Sequence, residues 1–287
     1  MRSRIGTVSA ILAASLLLGG CGGEDDPEGG RDAASRPTTT TGTTSAAPSQ
    51  EPWQSLDGPL SRCGPQPADV ADAGFTPTVL QDERIGKVSA VRAGTGPTVA
   101  ILLHQTDGNG LCGWLPYAAD LLAEPGVQVL AIDLCGYGES TCNGGRRSGP
   151  GQADAVGVAV REARTGLGAT RVVVVGASMG GSVALMAAAS DAKIDAAVDL
   201  SGPVDWAGIE VIDGGRALRV PVLVSMADDE GEEAVAGSQS IADQAPAGSR
   251  FEPAESGHGY RLLLDGDALP AALHEAVAAW IRGQPTS

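Results

Sequence analysis

The sequence predicts an α/β fold in which a mostly parallel central sheet is covered by helices on both faces. Three observations carry that reading. First, residues 98–104 (TVAILLH), 127–134 (VQVLAIDL) and 171–176 (RVVVVG) are short, almost continuously apolar runs. Strands buried on both faces have that composition, because neither side meets water. Second, helical segments separate them: 114–124, stopped by Pro125-Gly126; an amphipathic stretch at 152–168; and an Ala-rich stretch at 179–190. Third, the alternation continues, with strands expected at 194–200, 221–226 and 250–252 and a closing helix at 268–281. Strands alternating with helices imply a parallel sheet. Residues 75–80 and 84–92 read as two further strands at a sheet edge.

The 287 residues suffice for one such domain with a targeting segment and a linker. Aromatic residues are only 3%, so the core must be built from Val, Leu, Ile and Ala. The formal net charge is -16, with Lys and Arg totalling only 19. A surface that acidic repels phosphate backbones, which argues against nucleic acid as a partner. It also repels anionic headgroups, so membrane attachment needs another cause.

The N-terminus supplies one. Arg2 and Arg4 precede an apolar run over 8–18 that is too short to span a bilayer and reads as a signal-peptide core. It ends in Leu18-Gly19-Gly20-Cys21, which resembles the bacterial lipobox. That resemblance implies cleavage after Gly20 and diacylglyceryl modification of Cys21, hence an exported protein held on the outer face of the cell membrane. Residues 22–60 are rich in Gly, Glu, Asp, Thr, Ser and Pro and bury too little to offset ordering entropy. The expected organisation is therefore a signal peptide at 1–20, a lipidated flexible tether at 21–60 and a folded domain at 61–287.

Four cysteines remain: Cys63, Cys112, Cys135 and Cys142. An exported location favours disulfides. Cys135 and Cys142 flank one short Gly-rich loop, so they are expected to pair, leaving Cys63 with Cys112. None has metal-site spacing, and no metal or other cofactor is expected.

The strongest chemical signal is Gly176-Ala177-Ser178-Met179-Gly180-Gly181, between the strand RVVVV and the helix SVALMAAAS. A G-x-S-x-G motif in that setting places the serine on a sharp, strained turn with its Oγ above the sheet. The positions two before and two after it are crowded, which requires glycine. The helix behind directs its N-terminal N–H groups at the site.

With its surroundings, this motif resembles the α/β-hydrolase family from about residue 75 to the C-terminus. The family orders its triad as serine, acid, histidine. The chain has three histidines. His274 lies within a helical segment and His104 precedes the serine, whereas His258 sits in Glu255-Ser256-Gly257-His258-Gly259-Tyr260, which matches the family's histidine loop. The resemblance implies Ser178 as nucleophile and His258 as general base. The acid follows the strand 221–226, where Asp229 is chosen over Asp228, although Met226 stands where the family has glycine. Asp199 and Asp205 are minor alternatives. The rest of the acidic run 228–233 reads as a solvated helix start.

The resemblance also implies two oxyanion donors: the Met179 N–H, and one from His104-Gln105-Thr106. Thr106 occupies the family's donor position, with Gln105 as the alternative because it replaces the usual glycine. Asp133-Leu134-Cys135-Gly136-Tyr137-Gly138-Glu139-Ser140 resembles an architectural loop of the family, with Cys135 in its arginine place. Between residues 200 and 221 there is too little chain for a large cap. The expected site is open, near Trp114, Tyr137, Trp206 and Tyr260. The expected reaction is acyl transfer to Ser178 from a small-molecule acyl substrate, by default a carboxylic ester. An exported peptidase or acyltransferase on the same triad, and a non-catalytic surface-binding lipoprotein, are the alternatives.

Overall fold

A computed structural model describes residues 53–106, 109–145, 150–190, 192–206, 209–210, 218–265 and 269–284. The expected signal peptide, Cys21 and most of the expected tether lie outside the described residues. The compact unit that holds these residues runs from Gln50 to Ser287, ahead of the expected start at residue 61. The reason is local. Gln54–Ser55 pairs antiparallel with Pro65–Gln66, the 3-10 turn Gly58–Cys63 lies between them, and its Leu60 is buried.

Among the described residues the main sheet has nine strands: β1 (Thr76–Asp82), β2 (Gly86–Gly94), β3 (Thr98–Leu103), β4 (Val127–Ile132), β5 (Thr141–Cys142), β6 (Arg171–Ala177), β7 (Ala196–Leu200), β8 (Val222–Ala227) and β9 (Arg250–Ala254). Their order is β9-β8-β7-β6-β3-β4-β2-β1, with β5 also on β2. Pairings from β9 to β4 are parallel; those of β2 with β1, β4 and β5 are antiparallel. The chain leaves β3 toward β4 on one side and returns through β6 on the other. The β3/β6 junction is thus a topological switch point, where the carboxyl ends of strands open a crevice.

The helices are α1 (Ala68–Ala71), α2 (Leu115–Leu122), α3 (Pro150–Arg161), α4 (Met179–Ala189), α5 (Glu232–Gln244) and α6 (Ala272–Arg282). Every residue of β3 is buried, and period-two alternation divides them. Val99, Ile101 and Leu103 join the core under α3, α4 and α5. Ala100 and Leu102 join the core under α2 and α6. The three-layer expectation is met. Among the described residues, only a short hairpin, Asp205–Trp206 with Ile209–Glu210, lies between β7 and β8, so no large cap is present there.

Both disulfides form as expected, Cys63–Cys112 and Cys135–Cys142. Next to the first, Arg62 forms a forked ion pair with the fully buried Asp133, at 2.7 and 3.0 Å. Asp133 also accepts the Leu111 and Glu139 N–H groups. Cys135 stands where the family's loop has an arginine; here Arg62, from the N-terminal segment, brings a guanidinium to that loop.

Candidate active site

The turn after β6 has the conformation its glycines allow. Ser178 has φ 51° and ψ −119°, which costs a non-glycine residue backbone strain. A Cβ on Gly176 would overlap the Gly180 carbonyl, and one on Gly180 would overlap the backbone of Leu103. The strain is held by packing on every side: Ser178 N–H donates to Leu200 O on β7 at 2.7 Å, and Ser178 O accepts the Gly181 and Ser182 N–H groups. The helix α4 begins at Met179, whose N–H belongs to its first turn and so has no intrahelical partner.

His258 lies in the loop after β9, between Gly257 (φ 108°) and Gly259 (φ 59°). Its Nδ1 is 2.7 Å from Oε2 of Glu230, not from Asp229. This corrects the expected acid. Asp228–Glu230 form one 3-10 turn, in which each residue points about 120° from the last, so only one of the three can face the histidine. Asp228 and Asp229 are exposed, and Asp229 accepts only a long 3.4 Å bond from the Gly257 N–H. Among the described residues, Ser178 Oγ and His258 are not hydrogen-bonded to each other.

The other oxygen of Glu230, Oε1, accepts the hydroxyl of Ser201, which sequence reasoning missed. Ser201 also has a positive φ, 59°. Its turn is closed by Asp199, whose Oδ1 accepts the Gly202 N–H at 2.7 Å. Asp199 is fully buried and its Oδ2 has no hydrogen-bond partner among the described residues. Burial, reinforced by the Glu230 charge and opposed by the Gly202 bond, raises its pKa to about 7. Asp199 therefore supports the Ser201 turn and does not touch His258. Asp205 sits exposed in the hairpin, without a bond to His258.

The loop after β3 is held by His104. Its Nδ1 donates to Gln105 O at 2.6 Å, and its Nε2 accepts the Leu134 N–H at 2.9 Å. The Gln105 N–H donates to the Tyr260 hydroxyl at 3.0 Å. That corrects Gln105 as an oxyanion donor, since its N–H is already engaged. The Thr106 N–H makes no protein bond among the described residues. Trp114 is wholly buried, so it packs and does not line an open site; Tyr137 stacks edge-on with His104 at 5.1 Å; the Trp206 side chain lies outside the described residues. Among the described residues, no three His, Cys, Asp or Glu side chains are grouped to hold a metal ion.

Comparison with known proteins follows this geometry. Residues 100–250, more than half the chain, match the family described as alpha/beta hydrolase fold. An esterase from Pyrococcus furiosus, Pf2001, superposes with a TM-score of 0.62 at 14% identity, covering 82% of this chain and 96% of its own. XC6422 from Xanthomonas campestris, described as an α/β serine hydrolase without lid, gives 0.55 at 20% identity, covering 74% and 96%. A dienelactone hydrolase from Anabaena variabilis gives 0.55 at 18% identity, covering 74% and 98%. At these identities the likeness is one of fold. No curated protein sequence matches.

Proposed function

The chain belongs to the α/β-hydrolase fold family, and from that premise we propose that it is a serine hydrolase cleaving carboxylic esters through Ser178, His258 and Glu230. The observation that carries this reading is the strained Ser178 turn at the switch point, in a molecule whose His258 is already oriented by a carboxylate. A strained, exactingly packed serine conformation is what chemistry requires and what a binding surface does not. Three solved structures of like fold are described as an esterase, a serine hydrolase and a dienelactone hydrolase, which agrees with the reading.

In this mechanism His258 Nε2 takes the Ser178 proton as Oγ attacks the ester carbonyl. The developing oxyanion is met by the N–H groups of Met179 and Thr106. Glu230 accepts Nδ1–H, fixing the tautomer and stabilising the imidazolium, while Ser201 holds the second Glu230 oxygen. The imidazolium protonates the leaving alcohol. Water activated by the same nitrogen then hydrolyses the acyl-enzyme. A panel of p-nitrophenyl esters of increasing acyl length tests the reading. The parent should turn over at least one of them and Ser178→Ala none; equal rates in the two proteins would overturn it.

We also propose that the protein is exported and tethered to the membrane through lipid on Cys21, supported by the basic N-terminus, the apolar run and the Leu18-Gly19-Gly20-Cys21 sequence. Cys21→Ala should accumulate as an unprocessed, unlipidated precursor. Normal maturation and detergent partitioning of that variant would refute the anchor.

A further inference from the structure

We infer that Tyr260 is a positioning residue for the oxyanion-stabilising loop, an inference that rests on the hydrolase reading above. Two peptide planes flank the Cα of Gln105. The first carries the Gln105 N–H, which donates to the Tyr260 hydroxyl at 3.0 Å. The second carries the Gln105 C=O and the Thr106 N–H. In a trans peptide these two groups point in opposite directions. His104 Nδ1, bonded to Gln105 O at 2.6 Å, therefore aims the Thr106 N–H away from the His104 ring. With a hydrogen bond on each plane, φ and ψ of Gln105 are restrained, and the direction of the Thr106 N–H is set before substrate arrives.

The Tyr260 ring is itself locked. It occupies the space a Cβ on Gly113 would need, and it packs edge-on against the wholly buried Trp114 at a centroid distance of 5.0 Å. Tyr260 also lies two residues after His258, in the 3-10 turn Gly259–Leu263. The adjacent Gly259 has φ 59°, and any Cβ there would strike the Gln105 side chain. One short segment thus carries the general base and fixes the loop that binds the oxyanion. The sequence Gly257-His258-Gly259-Tyr260 joins the two halves of the machinery across the β3/β6 junction. Preorganised donors act because they need no rearrangement as charge develops. The Tyr260 hydroxyl contributes by removing that rearrangement, without touching substrate.

Tyr260→Phe keeps the ring and removes the hydroxyl. Losing one neutral hydrogen bond and loosening, but not deleting, a donor should lower kcat about tenfold. KM should stay within about twofold, because the ester ground state does not depend on the loop's rigidity. Rates are expressed per site titrated with a fluorophosphonate, so a partly misfolded preparation does not mimic the effect. The affinity of a trifluoromethyl ketone, whose serine adduct carries the same oxyanion, should weaken by the same factor as kcat/KM. A purely structural role would lower the titrated fraction and the Tm and leave both per-site quantities at parental values. Per-site kcat and ketone affinity within twofold of parent would overturn the inference while leaving the hydrolase reading intact. A parent that neither titrates nor turns over ester would overturn both.

Discussion

Replacing Glu230 by Gln tests the reassigned acid. The Glu230 carboxylate has two partners, Nδ1 of His258 at 2.7 Å and the hydroxyl of Ser201. A hydroxyl rotates and accepts as readily as it donates, so Ser201 can take the new amide N–H and leave the amide oxygen on His258. The tautomer is then preserved and only the charge is lost. A hydrogen bond to a charged partner contributes about 1.5–3 kcal/mol and a neutral one about 1. The difference, about 0.5–2 kcal/mol on the imidazolium, gives a fall of about 2–30-fold in kcat. If the amide instead presents its nitrogen, the wrong tautomer is held and the loss approaches about 10⁴-fold. Asp229→Asn and Asp228→Asn should change kcat by less than about threefold, since neither side chain bonds His258. Steady-state kinetics on one activated ester compare the three. A crippled Asp229→Asn beside a near-normal Glu230→Gln would refute the geometry argued here and restore the acid expected from the sequence.

Two further outcomes follow from the same contacts. The Cys63–Cys112 bridge closes 49 residues and Cys135–Cys142 closes 7, so by loop-closure entropy the paired Ser variants should lose about 4 and about 2 kcal/mol of unfolding free energy respectively; urea unfolding measures both, and a larger loss from the short loop would contradict the ordering. Burial raises Asp199 from 3.8 to about 7, so the folded protein holds a proton there that the unfolded chain releases. That contribution is fully present below about pH 4 and lost as pH rises through about 7, up to about 4 kcal/mol in all. Asp199→Asn, which has no proton to lose, should gain stability relative to parent as pH rises from 4 to 8; a difference independent of pH would show that Asp199 does not titrate in this range.

The strands most legible in the sequence were those buried on both faces, β3, β4 and β6, because continuous apolar runs bounded by Gly and Pro leave few alternatives. Ser178 was legible for a related reason: its two glycines are demanded by backbone overlap at Gly180 and Leu103, which the sequence must satisfy locally. Both disulfides were legible from where the cysteines fall. The acid was not. Three consecutive carboxylates in one 3-10 turn look alike in sequence, and which one faces His258 depends on the phase of that turn. Met226 in place of the family's glycine was the one sign that the register had moved. Ser201, Asp199 and Tyr260 act across the sheet, at separations of 29 residues for Ser201–Glu230 and 155 for Gln105–Tyr260, beyond any local pattern. Residues 54–60 read as tether because they are mostly polar, while a buried Leu60 and a short strand pair, set by contacts with later residues, were not legible.

The most direct test of a Ser178 nucleophile activated by His258 is covalent labelling read by mass spectrometry. The folded protein is treated with an alkyl fluorophosphonate, digested and mapped. A single phosphonate adduct should lie on the peptide carrying Ser178, and it should be absent from Ser178→Ala and strongly slowed in His258→Ala. Adduct formation elsewhere, or undiminished labelling of Ser178→Ala, would contradict the account.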